Sequence, residues 1–295
     1  MLERVNPSRL GLSEDRLDRV SEWLDQQIDS QRLAGASVLI GRHGDIGYVR
    51  TAGMADIERA KPFNEDTIVR IFSMTKPITS VAAMMLYEQG CFQLDEPVAK
   101  YLPEFAHTPV WKGGDHSLDE VALQRSPMLI KHLFTHTSGL TYGFMNTNVV
   151  DAEYRARHLE FPGKADSLAQ WVDTLASVPL ICQPGSQWNY SVAIDVLGRL
   201  VEVWSGQGLA EFFHDRIFAP LGMGDTAFAV ATENQSRFAA LYAPLSGGDM
   251  SSVASKSAPT AEQPRGGLKQ VESSTHSGYF SEPELYSGGG GGDNR

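Results

Sequence analysis

The pattern that most constrains this chain lies between Ser73 and Gly90. Apolar residues at Ile78, Val81, Ala82, Met85 and Leu86 recur at helical spacing, and Gly90 is a natural stop. Pro77 has no N–H and would clash with the turn before it in a helix interior, so it belongs to the first turn. A helix is therefore predicted to begin near Ser73 or Met74. That start puts Ser73 and Lys76 three residues apart on one helix face, where hydroxyl and ammonium can meet. Serine is a poor nucleophile without an adjacent base. A lysine serves as that base where burial or nearby positive charge makes it less basic. The helix N-terminus also favours negative charge developing at the serine. The same residues fit a plainer reading, with Ser73 as a helix cap and Lys76 as a solvated first-turn side chain.

The surroundings favour the chemical reading. The stretch Asp66-Thr67-Ile68-Val69-Arg70-Ile71-Phe72-Ser73-Met74-Thr75-Lys76-Pro77 resembles the nucleophile segment of the serine β-lactamase and penicillin-binding protein superfamily. It is most similar to the branch holding class C β-lactamases and the β-lactamase-like carboxylesterases of the family VIII type. The likeness continues through Leu94-Asp95-Glu96-Pro97-Val98 and Tyr101-Leu102-Pro103. It also includes Leu133-Phe134-Thr135-His136-Thr137-Ser138-Gly139-Leu140 and Pro184-Gly185-Ser186-Gln187-Trp188-Asn189-Tyr190-Ser191. Pro220-Leu221-Gly222-Met223-Gly224-Asp225-Thr226 is a further match, and the resemblance spans roughly Leu10 to Tyr242.

The resemblance implies an α+β fold, an antiparallel sheet flanked by helices, with the site between the sheet and a helical region. Tyr190 takes the place of the family's proton-shuttling tyrosine; read without the family, it is a half-buried tyrosine with one hydrogen bond. The implied chemistry is two-step acyl transfer on a small ester or amide. Ser73 attacks a carbonyl while Lys76 and Tyr190 manage its proton, and water then releases the acid. The Ser73 backbone N–H would be half of an oxyanion hole. No metal and no organic cofactor is implied, and no substrate-binding residue is singled out.

The chain departs from that family's pattern in two places. Class C lactamases carry asparagine two residues after the tyrosine, and here Val192 offers no amide for a lactam side chain; no Ser-Asp-Asn tripeptide occurs either. That leans towards a carboxylesterase on small esters. The same machinery used for β-lactam or D-Ala-D-Ala hydrolysis, or for acyl transfer to an alcohol or amine, stands as the alternative. The third family motif, a Lys-Thr-Gly, His-x-Gly or Trp-Gly-Gly on a later strand, has no credible copy, and the sequence closes on Tyr286-Ser287-Gly288-Gly289-Gly290-Gly291-Gly292-Asp293-Asn294-Arg295. The expectation is a C-terminally incomplete chain lacking the later strands, which leaves a catalytically silent homologue as a further alternative.

Residues 1–295 are expected to form one β-lactamase-like hydrolase domain. Its parts are an N-terminal helix and hairpin (10–52), a mainly helical region (66–230) and a flexible Ser/Gly/Pro-rich segment (246–295). Ser13 can cap the first helix, with Leu17, Val20, Leu24 and Ile28 as its buried stripe. Ser37–Ile40 and Ile46–Val49 read as strands joined by a turn at Arg42–Asp45. The stretches 107–127 and 151–166 read as polar, irregular loops.

The formal net charge of −11 argues against a nucleic-acid or anionic-membrane partner. The first residues, Met1-Leu2-Glu3-Arg4-Val5-Asn6-Pro7, hold no apolar signal region, and no apolar run is long enough to span a bilayer, so a cytoplasmic location is expected. Cys91 and Cys182 are then expected as free thiols. His132 and His136 could share a helix face, but Leu133 stands where a zinc hydrolase would need glutamate, so both read as structural. No Gly-x-Ser-x-Gly elbow occurs. Oligomeric state leaves no signature.

Overall fold

The strand alternation ahead of residue 60 folds as an antiparallel hairpin, in a computed structural model that describes residues 3–159, 167–245 and 267–281. β1 (Gly35–Arg42) pairs with β2 (Asp45–Asp56), and Arg42 sits opposite Asp45 across the turn. His43 and Gly44 both take positive φ, 57° and 86°, the signature of the turn whose twist matches two right-twisted strands. A short β3 (Lys61–Pro62) extends this sheet on the far side of β2. α1 (Glu14–Asp29) packs on β2 with Leu17 and Leu24 buried and Val20 and Ile28 half-buried. Ser13 stands at its N-cap, but the backbone carbonyl does the capping, accepting from the Arg16 and Leu17 N–H groups at 3.1 Å each.

Internal contacts divide the chain into two units, Met1–Arg70 with Val230–Phe280, and Ile71–Ala229 with the residues from Ser281. The first unit holds two further strands, β4 (Leu241–Pro244) and β5 (Leu268–Glu272), paired antiparallel. β5 corrects part of the flexible reading of 246–295. Its backbone is satisfied by a ladder to β4, and a 3-10 turn follows at Gly278–Phe280. The remainder of that segment, 246–266 and 282–295, lies outside the described residues, as does 160–166. Ahead of β4, Ile68 and Phe238 bridge in parallel, and the Arg70 guanidinium is buried over the Phe238 ring at 4.2 Å, paired with Glu272 at 2.8 Å.

The second unit is helical. α2 (Thr75–Glu88) follows directly on a 3-10 turn at Phe72–Met74, and Gly90 ends it in the left-handed region at φ 78°. α3 (Ile130–Phe134), α4 (Val149–Ala156), α5 (Leu168–Ala176), α6 (Ala193–Ser205) and α7 (Leu209–Phe213) follow. α2 packs against α6, which buries Leu197, Leu200 and Val201. Trp204 of α6 stacks on Phe92 with ring centroids 3.9 Å apart.

Two loops read from the sequence are partly regular. Val110–Trp111 pairs with Val121–Ala122 inside the first. In the second, Val149–Ala156 is helical because the Asn148 side chain caps it, accepting from the Asp151 N–H at 2.9 Å, while Val150 and Tyr154 are buried.

Candidate active site

Ser73 is carried by the 3-10 turn that leads into α2. Phe72 immediately before it has φ 40°, a left-handed conformation that a bulky residue rarely enters. Such strain persists only where the surroundings hold it, and it clusters at functional sites. Ser73 is exposed, whereas Lys76, one turn on, is buried. The Lys76 Nζ donates to Ser73 Oγ at 3.0 Å. The Tyr190 hydroxyl donates to the same oxygen at 2.8 Å. Three side chains named from the sequence thus converge on one oxygen, and all three belong to the helical unit. The residue at the N-cap of α2 is Met74, with no side-chain cap bond, so capping does not account for Ser73.

Aromatic rings enclose the lysine. Its Nζ lies 4.9 Å from the Tyr190 ring centroid and 5.7 Å from that of Tyr142. Burial, then the charges of Asp195 and Tyr190, push the Tyr142 phenol well above its ordinary range, so it stays neutral beside the lysine.

The placement of Tyr190 rests on the segment His136-Thr137-Ser138-Gly139-Leu140, which holds residues 181–189 by a series of main-chain bonds. Ile181 N–H donates to Gly139 O at 2.8 Å, Gly185 N–H to Thr137 O at 2.7 Å and Asn189 N–H to His136 O at 2.8 Å. The Asn189 side chain adds a bond from Nδ2 to Leu140 O at 3.0 Å. Gly139 is needed here. It sits at φ 88°, and a Cβ would lie 2.5 Å from the Cys182 carbonyl oxygen.

His136 is brought against Tyr190, with ring centroids 4.9 Å apart and Nδ1 3.2 Å from Ser191 Oγ. Burial, reinforced by the neighbouring Lys76 charge, lowers its pKa to about 4, so the imidazole is neutral at pH 7. α3 ends at Phe134 and His136 takes φ 53°, so His132 and His136 share no helix face. His132 Nδ1 instead accepts from the Leu129 N–H at 3.1 Å. Among the described residues no group of three or more His, Cys, Asp or Glu side chains is arranged to hold a metal ion.

A second buried network secures the loop bearing Tyr142. Asp151, fully buried, accepts from Thr141 Oγ1, Thr147 N and Thr147 Oγ1 at 2.8 Å each. Val192 is fully buried at the N-cap position of α6, so its side chain presents nothing to a ligand. Cys91 and Cys182 stand as free thiols, and burial raises the Cys182 pKa. Among the described residues no helix is long and apolar enough to cross a membrane.

Residues 20–291 match the model of the Beta-lactamase family. The chain belongs to that family. Esterase EstB of Burkholderia gladioli is 39% identical over 229 residues, covering 77% of this chain and 54% of the esterase. Monacolin J acid methylbutanoyltransferase of Aspergillus terreus is 32% identical over 210 residues, covering 68% of this chain and 49% of the transferase. Among solved structures, EstCE1, described as a hydrolase with promiscuous acyltransferase activity, superposes with a TM-score of 0.69 at 31% identity over 93% of this chain and 68% of that one. The α+β, β-lactamase-like fold read from the sequence is the fold found. The chain spans about half the length of the curated relatives it matches.

The sequence pointed to Ser73 and Lys76 by spacing and to Tyr190 by resemblance. It did not point to Tyr142, Trp188 or Asn189 as parts of the same cluster, and it left His136 as structural. The available signal was the run of aromatic and amide residues at Trp188-Asn189-Tyr190, which matters only once its partners are known.

Proposed function

We propose that this member of the Beta-lactamase family is a serine hydrolase, a carboxylesterase acting on small esters through an acyl-enzyme at Ser73. The observation that carries the reading is the convergence of Lys76 Nζ and Tyr190 OH on Ser73 Oγ. Oγ forms a bond to the substrate carbonyl carbon as its proton is taken up by the Lys76–Tyr190 pair. The tetrahedral adduct collapses, the bond to the leaving alcohol breaks, and the alkoxide takes the proton from Tyr190. Water then attacks the acyl carbonyl by the same relay run in reverse order, releasing the acid and restoring Ser73. The Ser73 N–H, at the start of a helical turn where backbone donors lack intrahelical acceptors, supplies one oxyanion contact.

Transfer of the acyl group to an alcohol is the second reading, favoured by the similarity to the methylbutanoyltransferase. The two share the first step and differ only in whether water or alcohol attacks. A cytoplasmic location is part of the proposal, supported by the two free thiols.

The test is hydrolysis of p-nitrophenyl acetate with rapid acid quench and intact-mass analysis. The reading expects one acetyl group on the wild-type chain, none on Ser73→Ala, and a shift of product from acetate to acetyl ester when an alcohol is added. Equal turnover by Ser73→Ala would refute it.

A further inference from the structure

We propose that Trp188 is the recognition wall for the alcohol portion of the ester, selecting planar apolar alcohols over small ones. The inference rests on the reading of Ser73 and Tyr190 as an acyl-transfer pair.

Trp188 is 66% exposed, although burying a ring of that size is strongly favourable. Its orientation is nevertheless held. Its ring lies 6.5 Å from that of Tyr190 at an interplanar angle of 23°, and edge-on to His136 at 6.4 Å and 73°. The neighbouring residue, Asn189, is pinned by its bonds to His136 O and Leu140 O. A flat apolar surface is therefore presented ready-made, with little ordering left for a ligand to impose.

The chemistry decides which part of the substrate meets it. A leaving oxygen must come within hydrogen-bond reach of the acid that protonates it. In this site that acid is the Tyr190 phenol, already 2.8 Å from Ser73 Oγ. The alcohol portion then extends on the Tyr190 side of the serine. Three rings pack on Tyr190 among the described residues, those of His136, Tyr142 and Trp188. Tyr142 is buried and His136 half-buried, which leaves Trp188 as the ring open to a ligand. In acyl transfer the accepting alcohol enters along the path by which the leaving alcohol departs, so the same wall selects acceptors.

The experiment compares wild type, Trp188→Phe and Trp188→Ala on two ester series. One holds the acyl group as acetyl and varies the alcohol from methyl to 1-naphthyl. The other holds p-nitrophenol and varies the acyl chain from acetyl to hexanoyl. The naphthyl-to-methyl ratio of kcat/KM is expected to fall about fivefold to tenfold in Trp188→Ala, with Trp188→Phe between the two, the scale of one aromatic stacking contact. Acyl-chain preference is expected to be kept. A fall that follows acyl length, or one equal across all alcohols, overturns the assignment. Binding of 1-naphthol is measured in parallel in a Ser73→Ala background, so the result does not depend on turnover. Weaker binding on adding Trp188→Ala supports the proposal, and unchanged binding overturns it. Failure of a fluorophosphonate to label wild-type Ser73 would instead sink the hydrolase reading, and the alcohol wall with it.

Discussion

The neutral imidazole beside Lys76 has a consequence for stability. In the unfolded chain His136 titrates near its ordinary value of 6.5, and in the folded chain near 4. Between those values the unfolded state holds more protons, so acid favours unfolding. The folded state has its full advantage above pH 6.5 and loses it progressively as pH falls towards 4. Taken whole, the shift is worth roughly 3 kcal/mol. The ring is half-buried, so solvent screening reduces this to roughly 1–2 kcal/mol. Replacing His136 with glutamine removes the titrating group while keeping a polar partner for Ser191. Urea unfolding at half-unit steps from pH 7.5 to pH 4, on wild type and His136→Gln, isolates the term as a difference of slopes, because every other titration is common to both. Wild type is expected to lose about 1–2 kcal/mol more than the variant over that range. Parallel curves, or a His136 ring resonance titrating near 6.5 by NMR, would refute the reasoning.

Substitutions at three other positions follow from the same geometry. Tyr190→Phe removes the hydroxyl that donates to Ser73 at 2.8 Å and should lower kcat for ester hydrolysis roughly 10²- to 10⁴-fold, with the unfolding midpoint little moved. Asp151→Ala strips the acceptor from the buried Thr141 hydroxyl and from Thr147, for a loss of about 3 kcal/mol in urea unfolding; Asp151→Asn should cost less. Gly139→Ala puts a Cβ 2.5 Å from the Cys182 carbonyl at φ 88°, and should cost about 2 kcal/mol or more, with esterase activity falling because the segment under Tyr190 shifts.

What could be read from the sequence was local. The Ser73–Lys76 meeting follows from helical spacing and the position of Pro77, and the β1–β2 hairpin from alternation around a short polar turn. Tyr190 was reachable only through resemblance, since nothing local says that residues 117 apart will share an oxygen. β5 escaped because its alternation is inverted, with Val271 turned outward at 59% exposure and Gln270 and Glu272 turned inward. In sequence α4 looks like loop because Asp151, Glu153 and Arg155 look solvated; Asp151 is in fact buried, its carboxylate satisfied by threonines that no periodicity identifies. His136 and Trp188 are ordinary residues in one dimension. Their contact with Tyr190 comes from the cross-chain bonds between 136–140 and 181–189.

The most direct test of the account is intact-mass labelling with a small fluorophosphonate on wild type, Ser73→Ala and Lys76→Ala, each first shown to unfold cooperatively. The account expects a single adduct on wild type, mapped to Ser73, absent from Ser73→Ala and much slower to form on Lys76→Ala. No adduct on the folded wild-type chain, or an equal adduct on Ser73→Ala, would contradict it.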